Sequence, residues 1–130
     1  MTNLHKQMFQ AWNAREFDVF GSILHPDYTY TGGDGKEHSG GPQVGEAIAQ
    51  MYATAFPDAT ITIDKLYEVE GVSICEFVAR GTHGGELMGI PATGKPVDIR
   101  VCNVIEIREG KVYREREYMD MAAMMAQIQA

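Results

Sequence analysis

The segment GIPATGKP, residues 89–96, is the first place where residue types and their spacing point to a chemical task. It fits the phosphate-binding pattern G-x-x-x-x-G-K-[ST] except at the last position, where Pro96 replaces the hydroxyl that would reach Mg²⁺. Such a loop must lead into a helix, because the backbone N–H groups of a helix N-terminus bind the anion. After Lys95 the chain alternates instead as a strand, with Val97 and Ile99 on one face. We therefore predict that this segment holds no nucleotide.

A second group of reactive side chains lies on the last strand that the sequence predicts. Alternation places five residues on one face, namely Val112, Arg114, Arg116, Tyr118 and Asp120. If this face lines a cavity, Arg116 enters it ahead of Asp120, and it either lowers the pKa of Asp120 or pairs with an anionic group of a substrate. The alternative is that these charged residues lie on the solvated surface of a sheet.

Asn103 is a polar residue on the strand face that it shares with Val101 and Ile105. If this face points into a core, the amide of Asn103 must be hydrogen-bonded. We expect it either to line a pocket, where it would stabilise an enolate oxygen, or to serve only the hydrogen bonding of the sheet.

Metal and thiol chemistry have little support in the sequence. His5, His25 and His38 fall on different predicted elements, without the spacing of a metal site. Cys75 and Cys102 have no basic neighbours that would activate a thiol. We therefore predict no metal ion, no organic cofactor and no Ser/His or Cys/His nucleophile system.

Composition limits the class of protein further. The 130 residues suit a single domain, residues 1–130, with 45% apolar and 22% charged residues. The net charge of −7 and the scattered basic residues argue against a nucleic-acid partner. No apolar stretch approaches the length of a membrane span, and the amphipathic start lacks the apolar region of a signal peptide. Together with two cysteines that form no disulfide framework, these features predict a cytoplasmic protein without membrane contact.

The elements that must position these residues follow from the hydrophobic period. Helical spacing predicts a first helix with Leu4, Met8 and Trp12 on one face, capped by Thr2 or Asn3. Further helices are predicted in FDVFGSIL (17–24), from Pro42 to the segment FPD (56–58), and in the methionine-rich tail. Strands are predicted in DYTYT (27–31) and in four long segments, 59–71, 72–85, 95–110 and 111–120. The glycine-rich segment 32–41 reads as a loop or hairpin end. The layout is α+β, with helices packed on one face of a curved sheet.

The segment GTHGGELMGIPATGKPV, residues 81–97, resembles the hallmark loop of the SnoaL-like polyketide cyclase family, within the nuclear transport factor 2-like superfamily. The matching positions are Gly81, Thr82, His83, Gly85, Gly89, Ile90, Pro91, Thr93, Gly94 and Lys95. The segments 11–30, 56–58 and 109–120 are also similar to the family, so the resemblance covers essentially the whole chain. It implies a cone-shaped barrel with a cystatin-like layout, in which a strongly curved antiparallel sheet wraps around N-terminal helices and encloses a pocket.

The resemblance also implies a function and two catalytic residues. The expected protein is a small cofactor-independent enzyme that performs an intramolecular aldol cyclisation, or related acid/base lyase or isomerase chemistry, on an apolar carbonyl-bearing substrate. Asp120 matches the general acid/base of the cyclases, and burial in an apolar pocket would raise its pKa toward neutrality. His83 would orient the substrate or share a proton with Asp120. The alternatives are that Asp120 caps the terminal helix and that His83 only fixes the glycine-rich turn.

Two departures from the family pattern keep other functions open. Arg116 stands where the family usually has an aromatic residue, and the preceding strand lacks the family's histidine. Arg116 with Asp98 and Arg100 faintly resembles epoxide hydrolases of the same superfamily, in which arginine and two aspartates activate water. A non-catalytic small-molecule binding module is the remaining alternative, because the fold alone does not decide function.

Apolar and aromatic side chains complete the expected site and its surroundings. Besides Asn103 and Arg116, we expect the pocket to be lined by Trp12, Tyr28, Tyr30, Tyr52, Phe56, Phe77, Met88 and Tyr118. The expected ligand is an apolar small molecule. The outer face of the sheet carries enough Ile, Val and Met to predict a homodimer, as the resemblance also implies.

Overall fold

The computed structural model describes residues 3–129, which form four helices and six strands. In chain order these are α1 (Leu4–Asn13), α2 (Phe17–Ser22), β1 (Leu24–Thr31), β2 (Glu37–Ser39), α3 (Pro42–Ala55), β3 (Thr60–Val69), β4 (Val72–Thr82), β5 (Pro96–Arg108), β6 (Lys111–Met119) and α4 (Met121–Gln129). The predicted α+β fold is confirmed. Within residues 3–129, no helix has both the length and the apolar character needed to span a membrane.

The six strands form one curved sheet in the order β2-β1-β6-β5-β4-β3. The last four strands make the predicted antiparallel meander, and β2 pairs with β1 as the end of a hairpin. β1 and β6 run parallel, which differs from the expected fully antiparallel sheet. A parallel pair needs a crossover connection, and here everything between β1 and β6 serves as that connection.

A β-bulge in β6 decides which side chains face the helices. Ile107 of β5 pairs with Val112, but the next residue back, Glu106, pairs with Arg114, so that Tyr113 is an extra residue in β6. Because side chains alternate with a period of two, one extra residue reverses the faces that follow it. Val112 is buried, yet beyond the bulge it is Glu115 that is buried. The prediction that Val112 shares a face with the residues at 114, 116, 118 and 120 is therefore wrong.

The helices pack against the concave face of the sheet. Asn3 caps α1 as predicted, because its Oδ1 accepts hydrogen bonds from the backbone of His5 and Lys6, whereas Thr2 lies outside the described residues. Trp12 Nε1 donates to the carbonyl of Ala49 at 3.0 Å and so joins α1 to α3. The helices and the sheet thereby enclose a space between them.

Candidate active site

An internal pocket lies between the helices and the concave face of the sheet, as the fold prediction expected. Its wall is almost entirely apolar. Its aromatic members are Phe9, Trp12, Phe20, Tyr28, Tyr30, Tyr52, Phe56 and Phe77. Six residues therefore lie where they were predicted, although their contact with a substrate stays a prediction: Trp12, Tyr28, Tyr30, Tyr52, Phe56 and Phe77.

Two carboxyl groups, those of Glu115 and Glu117, are the charged groups among the described residues that line this pocket. Both belong to β6, and both point inward because they follow the bulge. The hydroxyl of Tyr28 donates to Glu115 Oε1 at 2.5 Å, and that of Tyr30 donates to Glu117 Oε1 at 2.5 Å. Two tyrosines on β1 thus meet two glutamates on β6, because parallel pairing keeps the same two-residue spacing on both strands.

A chain of buried hydrogen bonds continues from Glu115 to the far side of the core. Asn103 Nδ2 donates to Glu115 Oε2 at 2.8 Å, and Asn103 Oδ1 lies 2.7 Å from His5 Nε2. The other ring nitrogen of His5, Nδ1, lies 2.7 Å from Ser73 Oγ. His5, Ser73 and Asn103 are all fully buried, so these hydrogen bonds satisfy polar groups that water does not reach.

Burial shifts the protonation of the site. It raises the pKa of both Glu115 and Glu117, and repulsion between the two carboxyls opposes ionisation of the second one. Hydrogen bonds from Tyr28, Tyr30 and Asn103 partly offset this effect. Two carboxyls in such an environment do not both ionise readily, so the pair retains a proton toward neutral pH.

The groups around the pair stay neutral. Burial lowers the pKa of His5 to about 4, despite the hydrogen bond to Asn103 that acts in the opposite direction. Burial also raises the pKa of Tyr52 to about 12, and it raises those of Tyr28 and Tyr30 still further. At neutral pH the tyrosines are therefore hydrogen-bond donors, and His5 is an uncharged imidazole.

Asp120 does not lie in the pocket. Its side chain is exposed, and its Oδ1 accepts a hydrogen bond from the backbone N–H of Ala123 at 2.9 Å. The prediction that Asp120 lies in apolar surroundings is therefore wrong, and the alternative that it caps the terminal helix is confirmed. Its catalytic role remains untested.

His83 is buried and holds the hallmark loop together. Its Nδ1 lies 2.9 Å from Thr93 Oγ1 and accepts from the backbone N–H of Thr93 at 3.3 Å. Its carbonyl oxygen accepts from the backbone N–H of Gly94 at 2.9 Å. His83 does not line the pocket, and these bonds match the alternative in which it fixes the turn.

Three further predicted pocket residues lie outside it, and one lies behind it. The side chain of Arg116 points to the outer face of the sheet, where it donates to Glu106 Oε2 at 2.5 Å. Tyr118 on the same face is 57% exposed, and Met88 in the hallmark loop is 53% exposed. Arg116 and Tyr118 were misplaced because of the bulge. Asn103 faces inward as predicted, but it supports Glu115 from behind the pocket wall.

The sequence prediction missed Glu115, Glu117 and the buried position of His5, although the sequence contained signals for them. Tyr28 and Tyr30 repeat the two-residue spacing of Glu115 and Glu117, which is the spacing of partners on neighbouring strands. His5 also shares the apolar helix face of Met8 and Trp12, which indicates a buried imidazole.

Solved structures place the fold in a known class, the nuclear transport factor 2-like or ketosteroid isomerase-like fold. One similar structure is a protein of ketosteroid isomerase-like fold from Catenulispora acidiphila, crystallised with trimethylamine. It has a TM-score of 0.83 and 16% identity over 99% of this chain and 94% of the other. A protein from Jannaschia sp. CCS1, provisionally assigned as a SnoaL-like polyketide cyclase, has a TM-score of 0.90 and 19% identity over 97% of this chain and 89% of the other.

The chain itself belongs to the SnoaL-like polyketide cyclase family, whose family model matches residues 2–128. The resemblance seen in the sequence is thereby confirmed. A curated relative, the aklanonic acid methyl ester cyclase DnrD of Streptomyces peucetius, is 26% identical over 97% of this chain and 88% of its own length. The related cyclase DauD of Streptomyces sp. strain C5 is 25% identical over 97% of this chain and 80% of its own length.

Proposed function

We propose that this protein catalyses an intramolecular aldol cyclisation of an apolar, carbonyl-bearing substrate, with Glu115 and Glu117 as its acid/base pair. The observation that carries the proposal is the pair itself, two buried carboxyls held by tyrosines in a pocket of aromatic side chains. Membership of the cyclase family and the activity named for the relative DnrD support it.

The reaction needs one base and one acid, and a pair that shares a single proton supplies both. The ionised carboxylate takes the acidic proton from a carbon that lies next to carbonyl groups. The resulting enolate carbon then forms a bond to a ketone carbon of the same molecule, and the electron pair of that C=O bond moves to its oxygen. The protonated carboxyl gives its proton to this oxygen, so that substrate and product have the same composition.

The apolar wall has its own part in this chemistry. It excludes water, which strengthens the electrostatic effect of the carboxyls on the developing charge. Tyr28 and Tyr30 stay protonated, so they hold the two carboxyl groups in fixed orientations throughout the reaction.

Epoxide opening was favoured by an arginine facing the pocket, and Arg116 does not line the internal pocket. Arg116 pairs with Glu106 on the outer face, Arg100 pairs with Asp64 and Asp98 pairs with Arg80, all of them outside the lining of the internal pocket; Arg100 and Asp64 line a separate outer pocket with Asp120. Incorporation of labelled solvent oxygen into a product would support epoxide opening instead.

The test uses aklanonic acid methyl ester and other polyketide esters with adjacent carbonyl groups as probes, in D₂O. Mass spectrometry follows two events: deuterium exchange at the acidic carbon, and ring closure to a product without added oxygen. Both are measured against the rate without protein. Wild-type protein is expected to accelerate both events for at least one probe, whereas binding of a probe without either event would show a binding module.

Two substitutions identify the acid/base pair, and one serves as their control. Glu117→Gln and Glu115→Gln are each expected to lower turnover by roughly 10² to 10⁴-fold, because each removes one proton-transfer group. Asp120→Asn is expected to keep turnover within a few-fold, since Asp120 lies outside the pocket. Loss of turnover in folded Asp120→Asn, with both glutamine variants active, would overturn this assignment in favour of Asp120.

A further inference from the structure

The buried hydrogen bonds behind the carboxyl pair all run from donor to acceptor in one direction. The first donor of the series lies at the N-terminus of α1. Asn3 Oδ1 accepts from the backbone N–H of His5 at 2.8 Å and from that of Lys6 at 3.3 Å. Backbone N–H groups can only donate, so these bonds fix which end of the Asn3 amide is oxygen. The amino group of Asn3 must therefore point the other way, where it donates to Glu68 Oε1 at 2.7 Å and to Ser73 Oγ at 3.2 Å.

The orientation of Asn3 sets the proton of Ser73. Within the described chain, the side-chain oxygen of Ser73 contacts only Asn3 and His5. Because Asn3 donates to this oxygen, the buried hydroxyl of Ser73 has one acceptor for its own proton, namely Nδ1 of His5 at 2.7 Å.

The proton of Ser73 in turn sets the tautomer of His5. A neutral imidazole whose Nδ1 accepts must carry its proton on Nε2. Nε2 then donates to Asn103 Oδ1 at 2.7 Å, which leaves the amino group of Asn103 facing Glu115 Oε2 at 2.8 Å. Every step from the helix cap to Glu115 thus presents a donor to the next group.

Glu115 therefore receives two donors, from Asn103 and from Tyr28, one on each of its oxygens. Both bonds favour a carboxylate at this position, because a charge-assisted hydrogen bond is stronger than a neutral one. The side chain of Glu117 has one direct bond of this kind, from Tyr30 to Oε1; Asn103 also favours its charged form, but the amino group of Asn103 makes its direct hydrogen bond to Glu115.

We infer that the cap of α1, acting through Ser73, His5 and Asn103, holds Glu115 as the ionised member of the pair and leaves the shared proton on Glu117. Asn3, Ser73, His5 and Asn103 are then positioning residues. If the proposed function holds, this assignment makes Glu115 the base that takes the C–H proton and Glu117 the acid that protonates the new alkoxide.

Other titratable groups near this chain of hydrogen bonds do not determine which carboxyl holds the proton. Glu68 of β3 lies near His5, and Tyr52 of α3 lies near Glu117 with Asp34 beyond it. Neither Glu68 nor Asp34 lines the pocket, and Tyr52 stays protonated at neutral pH. The proton of the pair is therefore assigned by the donors that contact it directly.

Nuclear magnetic resonance tests the inference without any substrate. Carbon-13 in the glutamate carboxyls is assigned with Glu115→Gln and Glu117→Gln, and nitrogen-15 in the imidazoles reports the tautomer of His5. Near neutral pH we expect an ionised carboxyl at Glu115, a protonated one at Glu117, and the Nε2–H tautomer of His5. A protonated Glu115, or the Nδ1–H tautomer of His5, would overturn the inference.

Ser73→Ala separates this directed role from simple packing. It removes the hydrogen bond to His5 Nδ1, so we expect the nitrogen-15 shift of that nitrogen to move and the apparent pKa of Glu115 to rise by roughly one unit. The control, Ser39→Ala, changes an exposed serine on β2 and should leave both readouts unchanged. Unchanged readouts in folded Ser73→Ala would contradict the inference.

A second variant covers the case in which Ser73→Ala does not fold. Asn3→Ser keeps an oxygen that can cap α1, but it removes the amino group that directs Ser73. We expect a smaller rise in the apparent pKa of Glu115 than in Ser73→Ala. An unchanged pKa would count against the inference. Because these readouts need no turnover, they succeed or fail independently of the proposed cyclase activity.

Discussion

The two faces of β6 place charged residues in opposite surroundings. On the inner face, Glu115 and Glu117 bind tyrosine hydroxyls in an apolar pocket, and burial raises the pKa of both. On the outer face, Arg116 pairs with Glu106, and both side chains remain in contact with solvent. The comparison teaches that the face of the strand determines whether a charged side chain is buried among apolar groups or paired in contact with solvent.

The largest expected difference between the faces concerns stability, and neighbouring residues of β5 test it. Ile105 is fully buried on the inner face, whereas Val104 is half-buried on the outer face. Ile105→Ala should lower the free energy of unfolding by about 2 to 5 kcal/mol, because it leaves a cavity in the core. Val104→Ala should cost about 1 kcal/mol or less. Urea unfolding measures both, and equal losses would mean that the outer face is covered as fully as the inner one.

The pH dependence of stability should come from the inner face. The raised pKa values of Glu115 and Glu117 mean that the folded protein binds more protons than the unfolded chain above the ordinary glutamate pKa. Their contribution is present at low pH and is lost as the pH rises through the raised values. His5, whose pKa is lowered from 6.5 to about 4, has the opposite effect only below about pH 6.5.

Above pH 6.5 we therefore expect the free energy of unfolding to fall by up to about 1.4 kcal/mol per pH unit while the pair holds its proton. Glu117→Gln should flatten this slope, whereas Glu76→Gln on the outer face of β4 should leave it unchanged. Unfolding in urea at pH 6.5, 7.5 and 8.5 measures the slope. The same slope in all three proteins would show that the pair holds no proton in this range.

We propose that the homodimer contact lies on the outer face of the sheet. A substitution there should have the smallest effect on the stability of the folded subunit. Tyr67, Val69 and Tyr118 there are 53%, 66% and 57% exposed, and the ion pairs nearby supply both signs of charge for a two-fold contact. Val69→Lys should change the stability of the folded subunit by only about 0.5 kcal/mol. It should nevertheless lower the mass measured by light scattering from dimer to monomer. If the wild-type protein has the mass of a monomer, the proposed contact is wrong.

Much of the fold could be predicted from the sequence, because the period of apolar residues and the turn residues act locally. The change from helical to two-residue spacing located the meander, and the hallmark loop identified the family. The site was harder, because the bulge at Tyr113 arises from pairing with β5 and leaves no local mark. One unrecognised extra residue was enough to place Arg116 on the same predicted face as Val112 and to leave Glu117 out of the predicted site. Asp120 looked equally suited to a cap and to catalysis, and only the position of α4 could distinguish them.

The contacts that hold the carboxyl pair also bear on how the chain folds. Tyr28 and Glu115 are 87 residues apart in sequence, and His5 and Asn103 are 98 apart. Forming such contacts requires the closure of very long loops, which is slow compared with the local pairing of β3, β4 and β5. The meander can therefore form before the pair acquires its tyrosine donors. A fragment that lacks α1 and β1 would keep both glutamates, but it would lack the groups that control their protons.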